Sequence, residues 1–505
     1  MMSPVHATTP GGFLLVLAVV LPVVAVLLML ALDRRHSAHI AFVTMGAGLG
    51  LAIAIVSDMV RTEAALVYVI GNWQPPLGLV LRADGLSATM LAMTAGIVSA
   101  VGVFARGMHD LDPDTRDGRS ATTFWLLLMA LWSALNMIFL GEDLFNLYVA
   151  IELLTFAAIP LVCLDGRAEV IAAALRYLMF ALLGSLLYLL GTALVYGGFG
   201  TLDISRLSGE SSPVLSVALA LMIAGLIAKA ALFPMHLWLP PAHAGAPAAA
   251  SAILSALVVK APIFLILRLM LDVAPPQAMA LAGEVLAVLG VSAILFCSVM
   301  ALRQARLKLL IAYSTLAQIG YLFIVFPLAT GTEALPAWGT IAWTGGALQL
   351  LSHALAKAAM FMAAGVIAEA FGHDRISDLG GFGRVLPISA AAFGLAGLSL
   401  MGLPPSGGFV AKCLLLTAAV IGGHPFLAGA ILAGGVLAAG YVFRVLDRAL
   451  ATPATPLLAR RPIPRRLELV ALALALAAVL LGFVPLQPFG FLQVGRFAMP
   501  MVGAP

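Results

Sequence analysis

Four of the five lysines, Lys229, Lys260, Lys357 and Lys412, lie inside long apolar stretches, and the fifth, Lys308, sits in a short basic loop. An ionisable residue at the centre of a membrane helix costs roughly 2.5 to 3.5 kcal/mol, so four of them forgo on the order of 10 kcal/mol unless partners offset it. Arginine serves the loops and lysine the interior. The difference is chemical: lysine can lose its proton when buried, whereas a guanidinium stays charged.

Glu152 is the acid set deepest within an apolar stretch, about 15 Å from the start of its helix at 1.5 Å per residue. Lys229 is its natural partner. Opposite charge drives each group toward its ionised form while desolvation drives each toward neutral, so a small change in separation can move the lysine proton on or off. A static ion pair that fixes packing is the competing reading. Lys260 lies on one later stretch, and His353 and Lys357 share a helix face on another at i and i+4. With His236 and His243 they make a polar row at mid-depth that water would complete. For His236 and His243 taken singly, a structural hydrogen-bonding role weighs as much as proton transfer. Ser314, Gln318 and Ser352 read equally well as helix-to-helix glue.

The elements that must position these groups are membrane helices. The chain has 505 residues, 62% of them hydrophobic and 10% charged, with a mean hydropathy of +1.10, too little polar surface for a soluble globule. The net charge of +4 does not indicate nucleic acid, because the charges cluster in short loops. Apolar runs long enough to cross the bilayer fall near 12–32, 38–57, 85–105, 122–141, 143–163, 170–197, 213–233, 245–270, 279–300, 307–327, 338–370, 386–422, 426–446 and 467–486. The expected fold is therefore all-α and polytopic, with about fourteen transmembrane helices.

Helices 7 and 12 are interrupted. Lys229 is followed by Pro234, His236, Trp238, Pro240, Pro241 and His243, and the second break reads Gly402-Leu-Pro404-Pro405-Ser-Gly-Gly-Phe-Val-Ala-Lys412. Proline removes a backbone donor and frees a carbonyl that lipid cannot satisfy, so the freed groups must face protein or water. Pro404 follows Pro234 by 170 positions, and Leu307 follows Asp143 by 164. This spacing implies two copies of a five-helix unit, the second inverted because five is odd, with a transport site near the midplane. The expected divisions are 1–121 (helices 1–3), 122–270 (helices 4–8), 279–448 (helices 9–13) and 449–505 (a basic loop and helix 14). Lys229 falls in the last turn before its break and Lys412 in the first turns after its own, so helix dipoles are expected to favour a charged Lys229 over a charged Lys412.

An outside N-terminus puts seventeen basic residues on the cytoplasmic side, Arg116 and Arg306 among them, against Arg61, Arg82, Arg206, Arg268 and Arg496 opposite. Both termini are thus expected outside, and the first helix, with no basic residue before it, is expected to be retained. Cys163, Cys297 and Cys413 have no metal-ligand spacing, and no strand precedes the Gly380, Gly381 and Gly383 cluster. No cofactor, metal or catalytic site is expected in the chain.

The stretches Asp143 to Glu152, Lys229 to His243, Arg303 to Tyr321, His353 to Lys357 and Gly402 to Lys412 resemble, in this order, the antiporter-like membrane subunits of respiratory complex I, of Mrp cation/proton antiporters and of energy-converting membrane hydrogenases. The likeness covers nearly the whole fourteen-helix core and is nearest to the Mrp D and complex I N and M types. It implies that Glu152 pairs with Lys229, that Lys260 is the lysine of the eighth helix, and that Lys412 is the terminal charged residue of the broken twelfth. It also implies a proton-translocating module in the cell (inner) membrane, working with other membrane subunits among lipids. Its driving force, redox chemistry or exchange for Na+, would come from partners. Two other readings stand beside it: a self-contained transporter for a small solute, and a non-conducting scaffold subunit.

Overall fold

The computed structural model describes residues 7–111, 118–329, 336–452, 457–485 and 487–495; Arg116 and Arg496 of the orientation argument lie outside these residues. The chain is helical almost throughout. The first six spans or their parts are α1 (Phe13–Ala31), α2 (Ser37–Thr62), α3 (Gly85–His109), α4 (Arg119–Leu140), α5 (Leu144–Val162) and α6 (Ala168–Phe199). A short α7 (Ile204–Leu207) leads to α8 (Pro213–Lys229), α9 (Leu239–Gly245), α10 (Ala248–Ile253) and α11 (Lys260–Arg268). Then follow α12 (Pro276–Arg303), α13 (Leu307–Phe323), α14 (Val325–Ala329), α15 (Pro336–Phe371) and α16 (Phe382–Val385). The last four are α17 (Pro387–Met401), α18 (Gly407–Ile421), α19 (Pro425–Leu450) and α20 (Arg465–Leu480).

Twelve helical segments among the described residues are long and apolar enough to cross a membrane, and α8, α17 and α18 are shorter apolar helices. The interrupted stretches are therefore broken where the prolines stand: α8 stops at Lys229 and α9 resumes at Leu239, while α17 stops at Met401 and α18 resumes at Gly407. Gly402 takes φ of +78° to end α17, a left-handed turn that a side chain would oppose. The stretch read as one helix over 245–270 is subdivided, with π-helical turns at Leu254–Val258 and Leu269–Val273 on either side of α11.

Local chemistry fixes where the site-bearing helices begin. Asp143 caps α5 by accepting from the Asn146 N–H at 2.8 Å, Ser212 caps α8 ahead of Pro213 by accepting from Leu215 at 3.1 Å, and Ser406 caps α18 by accepting from Phe409 at 3.2 Å. Each cap satisfies a first-turn donor that would otherwise be orphaned. One feature lies beyond the hydropathy pattern: β1 (Leu66–Val69) and β2 (Val80–Ala83) form an antiparallel hairpin between α2 and α3, with Leu66 opposite Ala83.

Packing separates an interior from a belt. The segment Ala248–Val273, together with α13 and α15, is buried along almost its whole apolar length, whereas α1, α2 and α6 bury less than half of theirs. Leu153, Phe156, Leu175, Met179 and Leu186 are exposed on α5 and α6, as suits a surface solvated by lipid. α6 packs on α8, α12 on α13, and α15 on α13, α17, α18 and α20. At the α6–α8 contact a Cβ on Gly184 would fall 2.5 Å from the Gly225 carbonyl oxygen, and at the α12–α13 contact a Cβ on Gly290 would fall 2.7 Å from that of Gly320. Both helix pairs close on backbone, as membrane helices do through small residues.

Candidate functional site

Lys229 ends α8, and its Nζ lies 3.0 Å from Glu152 Oε1 on α5 and 3.0 Å from Thr155 Oγ1 one turn further on. Glu152 also accepts from Ser185 Oγ on α6. Both charged side chains are largely buried, at 6% and 14% exposure. The break beside them is held from within. Trp238 stacks on Tyr177 at 4.0 Å, and its indole N–H donates to the Ala228 carbonyl at 3.0 Å, covering a helix-end oxygen as helix termini in lipid require.

The centre is built on α11, α13 and α15. Lys260 Nζ donates to the Ser255 carbonyl of the adjoining π turn. Ser255 Oγ shares a proton with Thr315 Oγ1 at 2.9 Å, and Thr315 in turn donates to the Ile311 carbonyl at 2.9 Å. That same carbonyl accepts from Lys357 Nζ at 3.2 Å, and Lys357 also donates to Ser314 Oγ. Lys260 and Lys357 are thus joined through four oxygens on three residues of the π turn and α13, Ser255, Thr315 and Ile311. His353 lies within electrostatic reach of Lys260, Lys357 and Lys412.

At the far end, Lys412 Nζ donates to the Leu400 carbonyl at 2.5 Å and stands 4.5 Å over the Tyr321 ring. Gln318 Nε2 donates to the same Leu400 oxygen at 3.2 Å, while Gln318 Oε1 accepts from Gln349 at 2.9 Å. Ser352 and Ser399 share a hydrogen bond of 2.6 Å, and Ser399 Oγ accepts from Gly408 N–H on α18 at 3.3 Å. The dipole expectation for Lys412 considered only the amino end of α18. Its ammonium in fact reaches back across the break to the carbonyl end of α17, so the two lysines both rest at helix carboxyl ends.

The sequence-predicted residues therefore fall into three hydrogen-bonded groups, around Lys229, around Lys260 with Lys357, and around Lys412. The three histidines sit between or beside them without joining any. His243 stacks on Phe361 at 4.5 Å, His236 stacks on Phe233 at 5.3 Å, and both ring nitrogens of His243 and His353 are buried without a protein partner, as is Nδ1 of His236. Pro234 lies within the first break, and Pro404 and Pro405 within the second.

Sequence reasoning missed a second charged cluster. Arg268, counted among the outside loop residues, is buried at the end of α11 and spreads its three nitrogens over three carboxylates: Nη1 to Asp84 at 2.5 Å, Nη2 to Glu142 and Nε to Asp272 at 3.2 Å. Arg82 on β2 adds a second guanidinium, 3.3 Å from Glu142. All five side chains are 11% exposed or less. The available signal was the coincidence of both signs at span ends near 84, 142 and 268–272.

Both the sequence and the fold match known proteins. Residues 141–438 match the family described as NADH:quinone oxidoreductase/Mrp antiporter, TM. The chain is 34% identical over 475 residues to NADH-quinone oxidoreductase subunit N of Desulforudis audaxviator, a match covering 89% of this chain and 90% of that protein. It is 28% identical to the D-type component of the Na(+)/H(+) antiporter of Alkalihalophilus pseudofirmus, over 84% of each. Its fold superposes with a TM-score of 0.86 and 25% identity on a chain of the Mrp complex from Dietzia sp., over 96% of both chains. With a chain of respiratory complex I from Thermus thermophilus the TM-score is 0.73 at 25% identity, over 96% of this chain and 100% of that one. The chain is thus a multi-pass membrane protein and belongs to the NADH:quinone oxidoreductase/Mrp antiporter transmembrane family.

Proposed function

We propose that the protein is a proton-translocating subunit of a multisubunit membrane complex, and that Glu152, Lys229, Lys260, His353, Lys357 and Lys412 hand protons along its interior. The observation that carries this reading is the row of buried ammonium groups, each held by hydroxyl, carbonyl or carboxylate oxygens, running from Lys229 to Lys412. Such groups are costly in a membrane interior and are explained by proton traffic better than by packing. The orphaned nitrogens of His243 and His353 need hydrogen-bond partners, and water in the gaps between the three groups would supply them.

In this reading Lys229 holds its proton while Glu152 is 3.0 Å away, and passes it toward Lys260 when the pair opens. His353 and Lys357 relay it, and Lys412 ends the row. Pro234, Pro404 and Pro405 leave the backbone open where each terminal lysine must exchange protons, and His236 and His243 serve as accessory hydrogen-bonding groups at the first break. Counting α8 with α9 and α17 with α18 as broken crossings gives fourteen in all, arranged as two inverted five-helix units over 122–270 and 279–448, flanked by 1–121 and 449–505. The alternation of helix ends and the basic residues support both termini outside. Partners would be the other membrane subunits of an Mrp-, complex I- or hydrogenase-like assembly, with H+ and, in an antiporter, Na+ as the ions moved.

The decisive experiment reconstitutes the native complex in vesicles and follows proton movement with a pH-sensitive dye. Lys229→Ala and Glu152→Ala should each abolish it in assembled complex. Full pumping in both variants would leave the scaffold reading standing instead.

A further inference from the structure

The cluster around Arg268 lies apart from the lysine row, at the membrane face that carries the β-hairpin. Its charges do not balance: three carboxylates, Asp84, Glu142 and Asp272, surround two guanidiniums, Arg82 and Arg268. Among the described residues, the charged groups that act on Asp272 are these same four neighbours, Arg268, Asp84, Glu142 and Arg82. A buried net negative charge is expensive, and closely spaced carboxylates relieve it by keeping a proton among them.

A second observation points the same way. Glu142 is 1% exposed and its Oε1 meets both guanidiniums, yet its Oε2 is buried with no hydrogen-bond donor. The cluster is short of one positive charge and of one donor together. The three acids are not held equally. Glu142 takes two guanidiniums, and Asp84 takes Arg268 at 2.5 Å with the Ser87 N–H at 2.8 Å. Asp272 takes only Arg268 Nε at 3.2 Å.

We infer that the Asp84–Glu142–Asp272 cluster holds one exchangeable proton, shared among its three acids, and forms an outward proton station for the path through Lys260. Arg268 stands eight residues beyond Lys260 on α11, about 12 Å along the axis at 1.5 Å per residue. Glu142 stands ten residues before Glu152, at the start of α5. The cluster therefore joins the end of α11 opposite Lys260 to the start of α5, whose middle carries Glu152. Its role as a station rests on the proton-translocating reading, but the bound proton itself does not.

Infrared difference spectroscopy on the purified native complex tests it. The wild type should show the carbonyl band of a protonated carboxylic acid that shifts on exchange into D2O and is unchanged by Na+. Glu142→Gln, Asp272→Asn and Asp84→Asn each equalise the charges at two and two, so each should lose that band, while Asp272→Glu should keep it. No assigned band in the wild type, or a band of full amplitude in all three neutralised variants once assembly is verified, would overturn the inference. A band removed by Na+ would also overturn it, in favour of a cation site. Proton pumping in Lys229→Ala separates the two questions: retained pumping there defeats the transport reading and leaves the band to be judged alone.

Discussion

Lys229 Nζ and Glu152 Oε1 meet at 3.0 Å where α8 breaks, with Thr155 and Ser185 as the only side-chain hydrogen-bond partners described beside them. Removing one partner of a buried pair leaves an uncompensated charge, which costs about 3–5 kcal/mol, whereas replacing both with apolar groups is often neutral. Glu152→Gln should therefore lower the unfolding temperature of the detergent-solubilised protein and cut proton flux at least about tenfold, since ~1.4 kcal/mol of changed proton affinity suffices for that. The double variant Glu152→Gln/Lys229→Met should recover most of the stability and none of the flux. Recovery of both would mean the pair only holds helices together.

The pair depends on how closely α6 approaches α8. A Cβ at Gly184 would stand 2.5 Å from the Gly225 carbonyl oxygen and 3.1 Å from Lys229 Cγ. Gly184→Ala must push the helices apart or move the lysine stem, and overpacking of this kind costs typically 1–3 kcal/mol. The expected result is lower flux together with lower thermal stability. An alanine at Gly197, where nothing lies within 4 Å of a Cβ, should change neither.

These two sites differ in how far the sequence revealed them. Lys229, Lys260, Lys357 and Lys412 could be read because a charge inside a long apolar run has no loop to belong to. The two breaks could be read because proline cannot continue a hydrogen-bonded helix. Arg268 and Glu142 could not: they stand at span ends, where charge is ordinary, and the hairpin residue that meets Glu142 is Arg82 of β2, which also donates to the Gly495 carbonyl. The hairpin itself is two four-residue strands too short to register against helical spans. Nor does any pattern announce the π turns around α11, because Leu254–Val258 and Leu269–Val273 are as apolar as the helix between them.

Gln318 links the central helices to the second break, bonding Leu400 and Gln349 and lying 3.4 Å from the Tyr441 hydroxyl. Leucine there has similar bulk and no polar atoms. Gln318→Leu strands the buried Gln349 amide, a loss of about 1–3 kcal/mol for an unsatisfied polar group. A Gln318 that also helps carry protons between His353 and Lys412 leaves the paired variant Gln318→Leu/Gln349→Leu, where no amide is stranded, below wild-type flux after correction for stability. Wild-type flux in the paired variant would restrict Gln318 to packing.

Tyr321 presents two separable functions to Lys412. Its ring lies beneath the ammonium at 4.5 Å, and its hydroxyl donates to the Ile431 carbonyl of α19 at 3.2 Å. Tyr321→Phe keeps the ring and loses only the hydroxyl, so it should cost about 1 kcal/mol of stability and leave proton flux close to that of the wild type. Tyr321→Leu removes the aromatic face as well, a contact of about 0.5–2 kcal/mol for a cation, and frees the ammonium from one of its two seats, the other being the Leu400 carbonyl. Flux should drop in the leucine variant by more than its lowered thermal stability accounts for, the latter following from loss of a fully buried ring. A phenylalanine variant as impaired as leucine would assign the effect to the α13–α19 hydrogen bond and take the ring out of the lysine's chemistry.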